Sequence, residues 1–533
     1  MRHAVNLNQQ TAMKNPFSSP IRGILLSCLG FGVNAIPCPL QAQQLVAPKE
    51  RPSILWIVAD DMNWDSPGCF GGAAPGITPR IDRLAQEGIR FEHAYVNISI
   101  CTPSRSVLLT GLYPNRNGAE GFQRIHPGTP NLPARLGEAG YLCGIIGKPL
   151  RQQDLLRWSV TYQWPGVGDE DLWGRDPVVF RRFAKSFFTM ARNANQPFFL
   201  MANSHDPHRP FGGENATRPH EQLAPASRTY QAHEVRVPGF LPDLPEVRQD
   251  LADYCTSVRR LDDMVGGLLE ELEAAGLAEE TLVIFMSDHG MPFPGAKFNC
   301  YVQSTRSPWV IRWPGFIKPG SVDTTHMISA IDLMPTLLDV AGLPSVQTCD
   351  GQSFLPLLYG GTQSGRDHIL TQFYHIHGDD ALPMRSVITR TAAYVFNPWA
   401  NGKRPFRRLG SPAFRAMESA ASTNPDLNKR VRSLRFRQIE EFFDLQSDPD
   451  CLNNLIEEDG RLKSEASHLH SQRSELEGLL TRWMKRVGDP ALDAFHNRHR
   501  SAILETYLQS YRHSASEAVE ALKPYERTQG FRF

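Results

Sequence analysis

The sequence predicts an α/β fold, a sheet covered by helices on both faces and followed by a smaller C-terminal domain, on the strength of three observations. Four short, unbroken apolar runs occupy residues 54–59, 141–146, 197–202 and 282–286. Runs of this length without polar alternation suit strands buried on both faces, as in a parallel sheet. Helical stretches separate them, the longest at about 248–275, with an apolar stripe of Val258, Leu261, Val265, Leu268 and Leu272 and a stop at Gly276. Beyond about residue 370 the segments become shorter and more polar, which marks a second domain.

Taken in order, the elements end in a consistent way. The first run closes on Asp60-Asp61. Thr78-Pro79 then opens a helix carrying Ile81, Leu84 and Ala85, closed by Gly88. A helix over 132–139 stops at Gly140, and the second run leads into Gly147-Lys148. Residues 151–175, rich in Trp and Gly without a regular period, read as a surface insertion. The third run ends in Ser204-His205-Asp206-Pro207-His208-Arg209-Pro210 and the fourth in Ser287-Asp288-His289-Gly290, followed by an irregular loop carrying Lys297. A short helix over 331–340 closes at Gly342, and the charged stretch from about 495 receives no role.

Ligands of open α/β sheets bind at the carboxyl ends of the strands. Adjacent acids such as Asp60 and Asp61 are costly there unless a cation neutralises them; a solvated turn is the alternative. Two histidines at one strand end, His205 and His208, suit acid–base work near neutral pH, although His205 is equally well a structural residue. Each polar group says little alone, but four strands ending this way point to one site.

Cys101-Thr102-Pro103-Ser104-Arg105 stands apart from these runs. Pro103 favours the first turn of a helix, and Val107, Leu108 and Leu109 anchor that helix inward. Its free N–H groups and positive dipole end face residue 101, where an anion would bind, and Arg105 one turn on lies on the same face.

Composition narrows the function classes. The chain has 533 residues, enough for two or three domains, with 56 basic and 56 acidic residues. That balance argues against nucleic-acid binding. No apolar run is long enough to span a bilayer. Residues 1–22 carry Arg2, Lys14 and Arg22 and no acids; an apolar stretch at 24–36 and a small-residue exit near Ala42 follow. Residues 1–42 thus read as a secretory signal peptide, and the protein as exported: periplasmic or secreted, or lysosomal in a eukaryote. The nine cysteines are irregularly spaced, so neither a disulfide framework nor a zinc cluster is implied.

The Cys101–Arg105 stretch closely resembles the signature of the type I sulfatases, and the four strand ends match the same family over roughly residues 52–460. The resemblance implies an alkaline-phosphatase-like fold: a catalytic domain at 48–370 with a large mixed sheet flanked by helices, a smaller α+β domain at 371–495, and a tail at 496–533. It implies that a formylglycine-generating enzyme oxidises Cys101 to formylglycine, whose hydrated aldehyde is the nucleophile. Asp60, Asp61, Asp288, His289 and the modified residue 101 would hold Ca²⁺, with another divalent ion compatible with the histidine ligand. Arg105, Lys148 and Lys297 would bind sulfate, and His208 would protonate the leaving group. The family also places a catalytic His just after the Lys148 position, whereas here Pro149, Leu150, Arg151 and Gln152 follow. That departure implies slow turnover or a substitute base, with His205, His375 or His377 as candidates.

Residues 205–209, 290–301 and 383–387 resemble the heparan N-sulfatase branch, which cleaves the N-sulfate of glucosamine ends. Within that resemblance His205, His375, His377 and Arg385 are the expected substrate contacts and a sulfated glycan the expected partner; a homodimer is left open. The alternatives are an O-sulfatase acting on another polysaccharide, a phosphonate monoester or phosphodiester hydrolase of the same superfamily, and a glycan-binding relative with impaired catalysis.

Overall fold

The computed structural model describes residues 51–148, 150, 153–162, 174–212, 224–376 and 381–521. The expected signal peptide lies outside the described residues, as do His377 and Pro149, Arg151 and Gln152. Fourteen strands are described: β1 (Ser53–Ala59), β2 (Ile89–Phe91), β3 (Ala94–Tyr95), β4 (Leu142–Gly147), β5 (Val160–Tyr162), β6 (Phe198–Asn203), β7 (Thr281–Ser287), β8 (Trp309–Arg312), β9 (Ser321–Asp323), β10 (Ile328–Ser329), β11 (His368–Phe373), β12 (Met384–Thr389), β13 (Ala392–Phe396) and β14 (Glu440–Asp444).

The large sheet runs β5-β4-β6-β1-β7-β8-β2-β9. Its first five strands are parallel, with Ile54 opposite Phe199 on one side of β1 and Leu282 on the other. β8 runs antiparallel to both β7 and β2, and β9 returns parallel to β2. The four apolar runs therefore form four of the five parallel strands, and the sheet is mixed.

Alternation along the strands explains why those runs are apolar throughout. Ile54, Trp56 and Val58 face one core with Phe199, Met201, Ile284 and Met286; Leu55, Ile57 and Ala59 face the other with Leu200, Val283 and Phe285. On the second face lie the helices α1 (Pro79–Gln86), Pro177–Ala194 and Pro245–Ala274, contributing Ile81, Phe187 and Leu261 among others. On the first lie Cys101–Thr110, Leu132–Glu138 and Leu333–Val340. Each fully buried aliphatic or aromatic side chain contributes about 1.5–3 kcal/mol. The long helix starts three residues before its expected position because Pro245 takes the first helical turn, and Gly276 beyond its end has a φ of 71°.

The 151–175 segment needs correcting. Among its described residues, Val160–Tyr162 is the edge strand of the large sheet, Trp158 stacks on Phe199 at 5.8 Å between centroids, and Arg175 is buried. These described residues belong to the sheet and its core rather than to a surface insertion.

The second sheet is antiparallel, β11-β12-β13-β14, with the helix His470–Val487 packed on it. The apolar cluster on the first face of the large sheet continues into this sheet without a break. Within the charged stretch after residue 495, the helix Ser501–Glu520 buries Leu504, Leu508, Tyr511 and Ala515 against that cluster.

Tyr511 donates to Glu120 Oε2 at 2.9 Å, tying that helix to the loop after Asn117. Burial pushes the Glu120 carboxyl up to about 7, against the pull of the Tyr511 bond and Arg385; Asp489 adds to the rise. A carboxyl raised on folding stabilises fully below its unfolded value of about 4.5 and loses that contribution as pH rises through about 7. Glu120 keeps some solvent contact, so the loss is roughly 1–2 kcal/mol rather than the full linkage value. Unfolding midpoints of the parent and Glu120→Gln should therefore diverge between pH 5 and pH 8, the variant losing less; parallel profiles would refute the assignment.

Candidate active site

The carboxyl ends of the parallel strands converge. β1 delivers Asp60 and Asp61, β4 delivers Lys148, β6 leads through Asn203 to His205 and His208, and β7 delivers Asp288 and His289. Backbone bonds lock the ends to one another: Asp288 N donates to Ala59 O at 3.1 Å, Ser204 N to Val58 O at 3.0 Å and Lys148 N to Asn203 O at 2.9 Å. The helix Cys101–Thr110 begins against them. Its N-cap, Ile100, makes no side-chain cap, so the helix's positive end faces the buried Cys101.

Ligand-type atoms of Asp60, Cys101, Asp288 and His289 all lie within 4.8 Å of one another, as do those of Asp61, Cys101 and His208. Arg105 donates through Nε to Asp288 Oδ2 at 3.0 Å and through Nη1 to Asn203 Oδ1 at 2.5 Å. Lys148 pairs with Asp60 Oδ2, and Lys297 reaches both oxygens of Asp61 at 2.8 and 2.7 Å. His289 Nε2 is 3.2 Å from Asp61 Oδ1, while its Nδ1 is 3.0 Å from Gly290 O. His208 Nε2 lies 3.8 Å from Asp61 Oδ2, and with 34% of its side chain accessible His208 forms the mouth of the site. Asp61 has a φ of 68°, left-handed backbone held at the centre of the cluster.

Electrostatics follow from burial and pairing. Burial would raise the carboxyls of Asp60 and Asp61, but Lys148 and Lys297 respectively override it and hold both below their ordinary range. For Asp288 burial wins over Arg105 and its carboxyl is raised. Partial burial lowers His208 from its ordinary value despite Asp61, whereas Asp288 and Asp61 overcome burial at His289 and lift it to about 9.

A divalent cation fits this donor set. Asp60 Oδ1 is buried without a hydrogen-bond partner, and three carboxylates face a histidine whose Nδ1 is engaged by a carbonyl, leaving Nε2 for a metal. Arg105, Lys148 and Lys297 pair with Asp288, Asp60 and Asp61 respectively. A divalent ion would leave the site with excess positive charge, suited to an anionic substrate.

Residues 52–343 match the family model described as Sulfatase, and residues 296–397 match the model described as N-sulphoglucosamine sulphohydrolase, C-terminal. The chain belongs to the sulfatase family. It is 31% identical over 487 residues to the N-sulphoglucosamine sulphohydrolase of Homo sapiens, covering 83% of this chain and 92% of that protein. It is 30% identical to arylsulfatase A of Homo sapiens, over 77% of this chain and 84% of the relative. A solved complex of a protein with its substrate D-glucosamine-2-N,6-O-disulfate superposes with a TM-score of 0.60 at 21% identity, covering 83% of this chain and 99% of that chain. The fold is thus the alkaline-phosphatase-like fold of sulfatases. As a sulfatase, the chain is a hydrolase of sulfate esters.

Two expected substrate contacts do not join the cluster. Arg385, on β12, is fully buried and grips Asp489 through Nε and Nη2, its guanidinium 4.2 Å from the Tyr374 ring centroid. His375 is fully buried too, with Nε2 at 2.8 Å from Gln123 Nε2 and its ring beside Tyr511. Both belong to the packing of β11 and β12 against the C-terminal helix. His205 is largely buried against Gly174, where a Cβ would come within 2.1 Å of its ring. Leu150 lies in the core. Asn203, the acceptor for Arg105, is a site residue the sequence reading passed over, although its place at the end of β6 was the available signal.

Proposed function

We propose that this sulfatase removes the N-sulfate of glucosamine residues in an exported setting, using a formylglycine at position 101 and a Ca²⁺ ion held by Asp60, Asp61, Asp288 and His289. The observation that carries the substrate reading is the similarity to N-sulphoglucosamine sulphohydrolase, which extends from the site into the C-terminal sheet. When modified, residue 101 would supply a hydrated aldehyde as the nucleophile towards sulfur, a group from which sulfate can afterwards be released. The cation, when bound, supplies Lewis-acid polarisation of the sulfuryl oxygens.

The chain's own residues do the rest. Lys148, Lys297 and Arg105 gather around the sulfuryl oxygens and stabilise the charge that develops on them. His208, at the mouth, faces the departing nitrogen or oxygen. Its partly buried setting disfavours the imidazolium, and the negative charge of a bound substrate favours the proton it then donates.

The similarity to arylsulfatase A supports an O-sulfatase as the second reading. Sulfate release from a panel of N-, 2-O-, 3-O- and 6-O-sulfated disaccharides decides between them. The N-sulfated compound should be turned over at least about tenfold faster than the others; preference for any O-sulfate would overturn the N-sulfatase reading while leaving the sulfatase chemistry intact.

A further inference from the structure

Arg175, at the end of the segment expected to be a surface insertion, is buried directly behind the His205–Arg209 turn, its side chain fully inaccessible. Its Nη1 donates to Asp206 Oδ1 at 2.7 Å and to the carbonyl of His208 at 2.8 Å; Nη2 donates to the carbonyl of Arg209 at 3.3 Å. His208 Nδ1 bonds that same Arg209 carbonyl. The orientation of the His208 ring therefore depends on a carbonyl that Arg175 holds. Gly174 approaches His205 so closely that a Cβ would clash, and its own carbonyl accepts from His205 N at 2.9 Å, so Gly174-Arg175 and the turn pack together.

A second buried arginine separates the roles. Arg260 grips Asp206 through Nε at 2.7 Å and Nη2 at 2.9 Å, and makes no bond to the carbonyls of His208 or Arg209. Asp206 is thus held twice, whereas Arg175 is the cation that ties it to the His208 backbone. Removing Arg175 leaves Asp206 paired with Arg260, so the turn keeps its buried charge neutralised while losing its hold on the histidine.

We propose that Arg175 is a positioning residue for proton donation by His208: its planar fork clamps Asp206 and the two carbonyls so that Nε2 points at the departing atom. This rests on the reading of His208 as the leaving-group acid. As the S–N or S–O bond breaks, its electron pair stays on the departing atom, which takes the proton from Nε2. Lysine keeps the charge but cannot serve three acceptors from one plane.

The test compares two leaving groups: the sulfated disaccharide released fastest by the parent, whose amine or alcohol must be protonated, and 4-nitrophenyl sulfate, whose phenolate departs without a proton. His208→Ala should slow the disaccharide by about 10²–10⁴-fold and the aryl sulfate far less. Arg175→Lys and Arg175→Gln should show the same selectivity at about ten- to hundredfold. Arg260→Lys should lower the unfolding midpoint without changing the ratio between substrates. Arg175 variants that slow both substrates equally, slow neither, or both fail to fold would overturn the inference, since each outcome makes Arg175 structural only. Equal slowing of both substrates by His208→Ala would instead overturn the leaving-group role of His208 itself.

Discussion

Cys101→Ala should bring sulfate release to background, a loss on the order of 10⁴–10⁶-fold, while the protein stays folded. The Cys101 side chain is small and buried at the first turn of its helix, and that helix is anchored by Val107, Leu108 and Leu109, none of which the substitution touches. Removing one sulfur there costs stability on the scale of a small apolar contact, about 1 kcal/mol. What disappears is the proposed nucleophile, which lies within electrostatic reach of Arg105, Lys148 and Lys297. Mass analysis of the peptide carrying residue 101 supplies the complementary evidence: protein matured with a formylglycine-generating enzyme should lose the thiol and gain an aldehyde that reacts with hydrazides. A fully active enzyme carrying an unmodified cysteine at 101 would refute the proposed nucleophile.

The convergence of Asp60, Lys148, His208 and Asp288 was legible because parallel strands place their carboxyl ends along one edge, so a strand's last residues locate a site without knowledge of strand order. The antiparallel half was not legible. Ile89–Phe91 and Trp309–Arg312 are three and four residues long, too short for periodicity to tell them from loops. Long-range pairing was equally hidden. Arg385 reads as a spare cation in an apolar strand until Asp489, 104 residues away, is brought against it. Arg175 carried the same ambiguity at the end of a Trp- and Gly-rich stretch, and only its buried contacts with Asp206 and the His208 carbonyl distinguish it from a surface arginine. A single sequence reports where charges are; it does not report which of them neutralise each other.

Asp61→Asn should abolish both metal retention and turnover, the activity falling by at least about 10²–10³-fold. Asp61 is the carboxylate on which the site closes: Lys297 bonds both its oxygens, His289 faces one at 3.2 Å and His208 the other at 3.8 Å. Its left-handed backbone, φ 68°, is one that asparagine adopts readily, so the substitution keeps the chain path and removes charge alone. The cost is electrostatic. Lys297 is left without its carboxylate in a nearly inaccessible position, and breaking one side of a buried pair costs about 3–5 kcal/mol. Adding Lys297→Met removes that stranded charge, so the double variant should recover much of the stability without recovering the metal or the activity. This separates loss of the ion from loss of the fold, which the single variant leaves combined. Elemental analysis should find about one divalent ion per parent chain and essentially none in either variant, with calcium restoring activity only to a chelated parent. Undiminished turnover by a parent chain shown to be metal-free after exhaustive chelation would remove the cation from the reaction, and the carboxylates of Asp60, Asp61 and Asp288 would then serve only to hold Lys148, Lys297 and Arg105 in place.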